Sequence, residues 1–141
     1  MVTALDRDAE ALDGLDALAS VVCADIEGQP WPLPGRQFDA VVVTNYLWRP
    51  LWPKLLDSLA PSGLLLVETF ALGQELLGRP RNPDFLLRPG ELLDVANAGQ
   101  LHVLAYEDGL LTQPTRRVQR IAAVRHEGAA PALALAPLHS G

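Results

Sequence analysis

Three observations predict an α/β chain with a mostly parallel sheet in a three-layer sandwich. Residues 38–44 (FDAVVVT) are apolar on both faces, as parallel strands covered by helices on both sides are. A helical apolar period over residues 50–59 leads from that run into a second apolar run at residues 64–67, a strand–helix–strand unit whose crossover should be right-handed. Two extended patterns, residues 101–107 and 118–125, then suggest an antiparallel pair at a sheet edge.

The remaining elements are taken in chain order. Val2-Thr3-Ala4-Leu5 is short and apolar and stops at Asp6-Arg7-Asp8, which reads as a buried strand. Leu12, Leu15 and Leu18 recur at helical spacing opposite Glu10, Asp13 and Asp16, which predicts a short amphipathic helix over residues 9–18. Residues 20–24 give a second strand ending at Asp25, and Gly28, Pro30, Pro32, Pro34 and Gly35 make a loop. Residues 38–44 are the clearest strand and should be the sheet centre. After it, Leu51, Leu55 and Leu59 share a helix face with proline in the first turn, and Pro61-Ser62-Gly63 make the turn into residues 64–67. Those run on into Glu68-Thr69-Phe70. Residues 79–83 form a Pro/Arg/Asn loop, and Pro89-Gly90-Glu91 opens a helix ending near Gly99. One folded domain over residues 1–127 is expected, with an Ala/Pro-rich coil tail over 128–141.

Composition narrows the function. With 49% hydrophobic and 20% charged residues among 141, the chain can bury about two-thirds of its extended surface, which excludes a disordered polymer. A formal charge of -6 offers no field for phosphate backbones or anionic lipids, so neither nucleic acid nor a membrane surface is an expected partner. Nothing approaches the roughly 18 consecutive apolar residues of a membrane span, and no leader pattern opens the chain. The single cysteine, Cys23, and three scattered histidines make no zinc-ligand spacing, so no metal is expected and a cytoplasmic location fits. Cys23, inside a strand, reads as a small buried hydrophobe. The Arg116-Arg117-Arg120 cluster reads as a solvated edge-strand face, and Trp31, Trp48 and Trp52 as core or pocket walls.

In open α/β sheets a ligand sits outside the carboxyl ends of the strands. Those ends here carry Asp6, Asp25, Asn45-Tyr46 and Glu68-Thr69. A carboxylate there can accept two hydrogen bonds from a ribose diol, and another can accept one from an adenine amino group. Asp6, like Asp8, is suited to cap the helical segment after it, the leading reading of Asp6 from the residues alone, and Asp25 to form a turn before Gly28.

The runs VTALDRD, ADIEGQPWPLPGRQFDAVVVTNYLWRPLW and LAPSGLLLVETF resemble successive motifs of class I S-adenosylmethionine-dependent methyltransferases over roughly residues 2–127. NYLWRPL and NPDFLLRPGELL are similar to the small bacterial tellurite-resistance type. The resemblance implies a Rossmann-like fold and S-adenosyl-L-methionine as cofactor. It implies Asp6 on the ribose with Arg7 near the adenine, Asp25 on the adenine amino group with the Ile26 backbone near the ring, and Asn45 and Tyr46 facing the methionine part and the acceptor. The acceptor would be a small molecule, and no catalytic residue is singled out.

The chain departs from that family at one place. None of its eleven glycines forms the G-x-G of the family's Gly-rich loop, and the match begins at the family's second strand. The first strand is expected to be missing between those of residues 2–5 and 38–44, which would split the sheet and leave two unpaired inner edges. Such edges favour self-association, hence a homo-oligomer. A non-catalytic remnant acting through itself or a partner is the alternative reading.

Overall fold

The computed structural model describes residues 1–126. They form two compact units, one over Met1–Arg36 and a second beginning at Gln37. The expected tail over residues 128–141, with His139, lies outside the described residues.

The first unit is a parallel pair, β1 (Val2–Asp6) and β2 (Ala19–Cys23), in register from Val2 opposite Ala19 to Asp6 opposite Cys23. Between them the predicted helix is absent. Residues 9–18 make successive turns bonded three residues apart, such as the Leu12 N–H to the Ala9 carbonyl and the Leu15 N–H to the Leu12 carbonyl. Gly14, at φ +77°, turns the backbone into the left-handed region and interrupts helical propagation. Leu12 is buried, but Leu18 is 80% exposed, so the leucine spacing does not define one covered face. Cys23 is exposed rather than buried, and its thiol reaches the Arg7 carbonyl at 3.5 Å.

The second unit holds a four-stranded sheet ordered β3-β4-β6-β5: β3 (Phe38–Thr44), β4 (Leu59–Phe70), β5 (Leu101–Leu111) and β6 (Arg116–Arg125). β3 and β4 are parallel, while β6 runs antiparallel to both β4 and β5. The predicted antiparallel pair therefore exists, but β6 lies inside the sheet and only β5 is an edge. β3 also differs from expectation. It is bonded to β4 alone among the described residues, so the run predicted as the sheet centre is at an edge, which agrees with the other expectation, a split sheet with an unpaired edge at residues 38–44.

A 3-10 turn at Arg49–Leu51 leads into helix α1 (Trp52–Asp57), with Pro53 in the first turn where its missing N–H costs nothing. β4 begins at Leu59, earlier than predicted. Its pairing with β3 jumps from Phe38 opposite Leu59 to Ala40 opposite Leu64, and residues 60–63 make the excursion. A Cβ on Gly63 would lie 2.7 Å from the Ala60 carbonyl oxygen, so glycine is required there. Helix α2 (Glu91–Ala98) matches its prediction: Gly90 precedes it at φ +73°, Glu91 and Asp94 complement the N-terminal dipole, and Leu92, Val95 and Ala96 form the buried stripe.

Both helices lie on one face of this sheet. Val41, Val43, Leu65, Val67, Ile121 and Ala123 project to that face and pack with Trp52 and Leu56 of α1 and Leu92 and Ala96 of α2. On the other face, cross-strand rows run Val42–Leu66–Ala122 and Thr44–Glu68–Arg120–Glu107.

Candidate functional site

In the first unit, Asp6, Arg7, Asp25 and Ile26 come together at the carboxyl end of the parallel pair. Asp6 faces Cys23 in register, the Ala24 N–H donates to the Asp6 carbonyl at 3.0 Å, and Asp25 is the next residue. Each carboxylate is fixed by its own turn. Asp6 Oδ1 accepts the Asp8 N–H at 2.9 Å, and Asp25 Oδ1 accepts the N–H groups of Glu27 at 3.0 Å and Gly28 at 3.3 Å. Both residues are exposed, so two oriented carboxylates stand at one end of one ribbon with acceptor capacity toward solvent. The turn-forming and ligand-binding roles are thus compatible: one oxygen is held by the backbone in each case.

In the second unit, Asn45 and Tyr46 lie at the carboxyl end of β3. Asn45 adopts φ +53°, a left-handed conformation that asparagine tolerates, and its N–H donates to the Glu68 carbonyl at 2.9 Å. This turns the chain out of the sheet immediately after Thr44. The Glu68 carboxylate meets Arg120 at 3.4 Å, and Arg120 also meets Glu107 at 3.2 Å. Glu68 is therefore part of a charge row on the sheet face. The arginine cluster is not a solvated edge: Arg117 pairs with Asp108 at 2.8 Å, and both Arg117 and Arg120 sit on interior strand β6.

The sequence reading missed the most highly connected polar group at this end. Arg49, four residues after Asn45, donates from Nε and Nη2 to both oxygens of Glu91 at 2.8 and 2.9 Å. It also donates to the carbonyls of Asp84 at 3.0 Å and Leu86 at 2.9 Å. Glu91 is 5% exposed and accepts the Arg88 N–H as well. Burial pushes the Glu91 carboxyl up, but the Arg49 hydrogen bond, the Arg88 N–H and the two positive charges outweigh it and hold the carboxyl below its ordinary value. Arg49 is raised, first by its bond to Glu91. Arg49 belongs to NYLWRPL, and Asp84, Leu86 and Glu91 belong to NPDFLLRPGELL, so one guanidinium joins the two blocks. Two buried amides fasten the loop between Arg79 and Arg88. Gln119 donates to the Arg88 carbonyl at 2.8 Å, and Gln74 donates to the Arg79 carbonyl at 2.9 Å while accepting the Arg117 N–H at 2.8 Å.

Among the described residues no group of three His, Cys, Asp or Glu side chains could hold a metal ion, and no helix is long and apolar enough to cross a membrane. His102 and His126 lie with ring centroids 5.6 Å apart, away from the strand end that carries Asn45 and Tyr46.

No protein-family model and no curated protein matches the chain. Solved structures do. The chain is similar to the N-methyltransferase NodS of Bradyrhizobium japonicum, with 15% identity over 89% of this chain and 73% of that one, at a TM-score of 0.64. It is similar to a SAM-dependent methyltransferase of Methanosarcina mazei, with 14% identity over 89% and 82%, at 0.62. It is similar again to the 1,6-didemethyltoxoflavin-N1-methyltransferase of Burkholderia thailandensis, solved with S-adenosylhomocysteine, with 14% identity over 89% and 61%, at 0.62. At these identities the likeness establishes the fold, a Rossmann-like α/β architecture of the kind these methyltransferases share.

Proposed function

We propose that this chain serves S-adenosyl-L-methionine-dependent methyl transfer to a small acceptor. The observation that carries the reading is the pair of oriented carboxylates, Asp6 and Asp25, at one end of the β1–β2 ribbon. That donor set suits an adenosine: Asp6 accepts the ribose diol with Arg7 beside the ring, and Asp25 accepts the adenine amino group with the Ile26 backbone alongside. Asn45 and Tyr46 take the methionine part and the acceptor side. The bound cofactor supplies an electrophilic methyl on a sulfonium, and the chain's residues need only hold donor and acceptor in line. An acceptor that loses a proton on methylation passes it to solvent.

The pairing of NYLWRPL with NPDFLLRPGELL through Arg49 supports a place near the small bacterial tellurite-resistance type, without making tellurite the substrate. An exposed unpaired thiol at Cys23 fits a reducing cytoplasm. The test is equilibrium dialysis of the full chain against radiolabelled S-adenosylmethionine, beside Asp6→Ala and Asp25→Ala. Saturable binding that both substitutions weaken by about tenfold supports the reading. Folded protein that binds nothing, or binds regardless of both substitutions, overturns it.

A further inference from the structure

β5 and β6 form a hairpin whose turn, residues 112–115, joins the strands at one end and leaves the other end without a covalent link. At that open end stand two histidines, His102 on β5 and His126 directly after β6. Register brings them to one face. His102 is opposite Val124, and His126, two residues beyond Val124, continues on the same side of β6. Arg125, between Val124 and His126, projects to the other side, where its guanidinium donates to the Leu56 carbonyl of α1. Val124 also faces Leu64 at the start of the β4–β6 ladder, so the pair lies at the far end of the sheet from Asn45 and Glu68.

The ring geometry suits two ligands of one ion better than an aromatic pair. The centroids are 5.6 Å apart and the planes meet at 45°, which is neither stacked nor edge-to-face. With a metal–nitrogen bond of about 2.1 Å and the ring centre about 1.1 Å beyond the nitrogen, two imidazoles on one tetrahedral ion have centroids about 5.2 Å apart. A small rotation of either ring closes that gap. Both residues are half-buried, so the strands restrain the rings while solvent still reaches them. Among the described residues neither ring has another partner, and no hydrogen bond competes for the ring nitrogens.

We infer that His102 and His126 are a cross-strand chelate for a borderline divalent transition-metal ion such as zinc, with water in the remaining positions. Imidazole suits zinc, copper and nickel, whereas magnesium and calcium take oxygen ligands. The distance from the strand end that carries Asn45 and Glu68 gives the ion no part in methyl transfer, so the inference does not rest on that reading. Its effect is on the hairpin. β5 is bonded to β6 alone among the described residues, and an ion shared by both rings closes the end that the turn leaves open. Histidines on two different strands give no ligand spacing in the sequence, and only the β5–β6 register brings them together.

The test is a zinc titration of the full chain carrying Cys23→Ser, so that its one thiol takes no metal, read in nitrogen–proton NMR spectra of the histidine rings. The expected result is saturable binding of one zinc per chain, with the ring signals of His102 and His126 shifting together. His102→Gln and His126→Gln should each weaken that binding by at least about tenfold, and the double variant no further than either alone, because one imidazole makes no chelate. Stability supplies a second readout. At about ten times the dissociation constant, zinc should raise the folded-to-unfolded ratio about tenfold with both histidines present and leave each single variant unchanged. Magnesium should do neither. Ring signals of this pair that stay in place at saturating zinc, binding that survives both substitutions, or equal stabilisation of the variants would overturn the inference.

Discussion

On one face of the four-stranded sheet Leu65 is 1% exposed and Ala123 is fully covered, whereas on the other Val42 stands 63% exposed one residue from Val41 and Val43. Among the described residues the same strands, with comparable apolar side chains, are packed on one side by α1 and α2 and more exposed on the other. Burying a valine or leucine is worth roughly 1.5–3 kcal/mol, so the covered face supplies more of this unit's stability than the open one. The sequence of β3 is written for both faces to be covered.

Neighbouring positions on β4 give the largest expected contrast. Leu65→Ala should cost about 3 kcal/mol in urea unfolding because it opens a cavity in the core, while Leu66→Ala on the partly exposed face should cost about 1 kcal/mol. Equal costs would mean that the second face is as well packed as the first. Glu91→Gln is expected to cost about 2 kcal/mol, since it weakens the charge-assisted bonds that hold residues 84–91 against Arg49, a partner still one-third exposed. Its pH dependence has a definite sign. The folded-state carboxyl is held below its ordinary 4.5, so its contribution is complete above that value and is lost as pH falls through the lower folded-state value. Thermal unfolding of the native chain should therefore show an acid limb below about pH 4.5 that Glu91→Gln flattens. The smallest effect sharpens the comparison most finely: Val43→Thr, packed against the core, should cost about 1 kcal/mol, and Val42→Thr less than about 0.5 kcal/mol.

The same contrast explains what the sequence could and could not convey. Residues 38–44 and 91–98 were legible to within a residue because apolar run, glycine punctuation and dipole-matched acids agree there. The sheet-centre reading of β3 failed for a physical reason: apolarity reports which surfaces need covering, not whether a described element covers them. Residues 9–18 misled because leucines three apart fit consecutive turns as well as a helix, and Gly14 at positive φ favours the turns. The arginines of β6 looked like an edge because their partners Glu68, Glu107 and Asp108 lie on other strands, which no local period encodes. Of the candidate site, the strand-end acids were readable from position. Arg49 and Glu91 are 42 residues apart, and the one available signal was a glutamate opening a helix directly after Gly90.

The most direct test of the account is a heteronuclear NMR titration of the full chain with S-adenosylhomocysteine. The account predicts saturable shifts at residues 6–8 and 25–28 together with Asn45 and Tyr46, and none at the His102 and His126 pair. Shifts confined to that pair, or a spectrum of folded protein unchanged at saturating ligand, would contradict it.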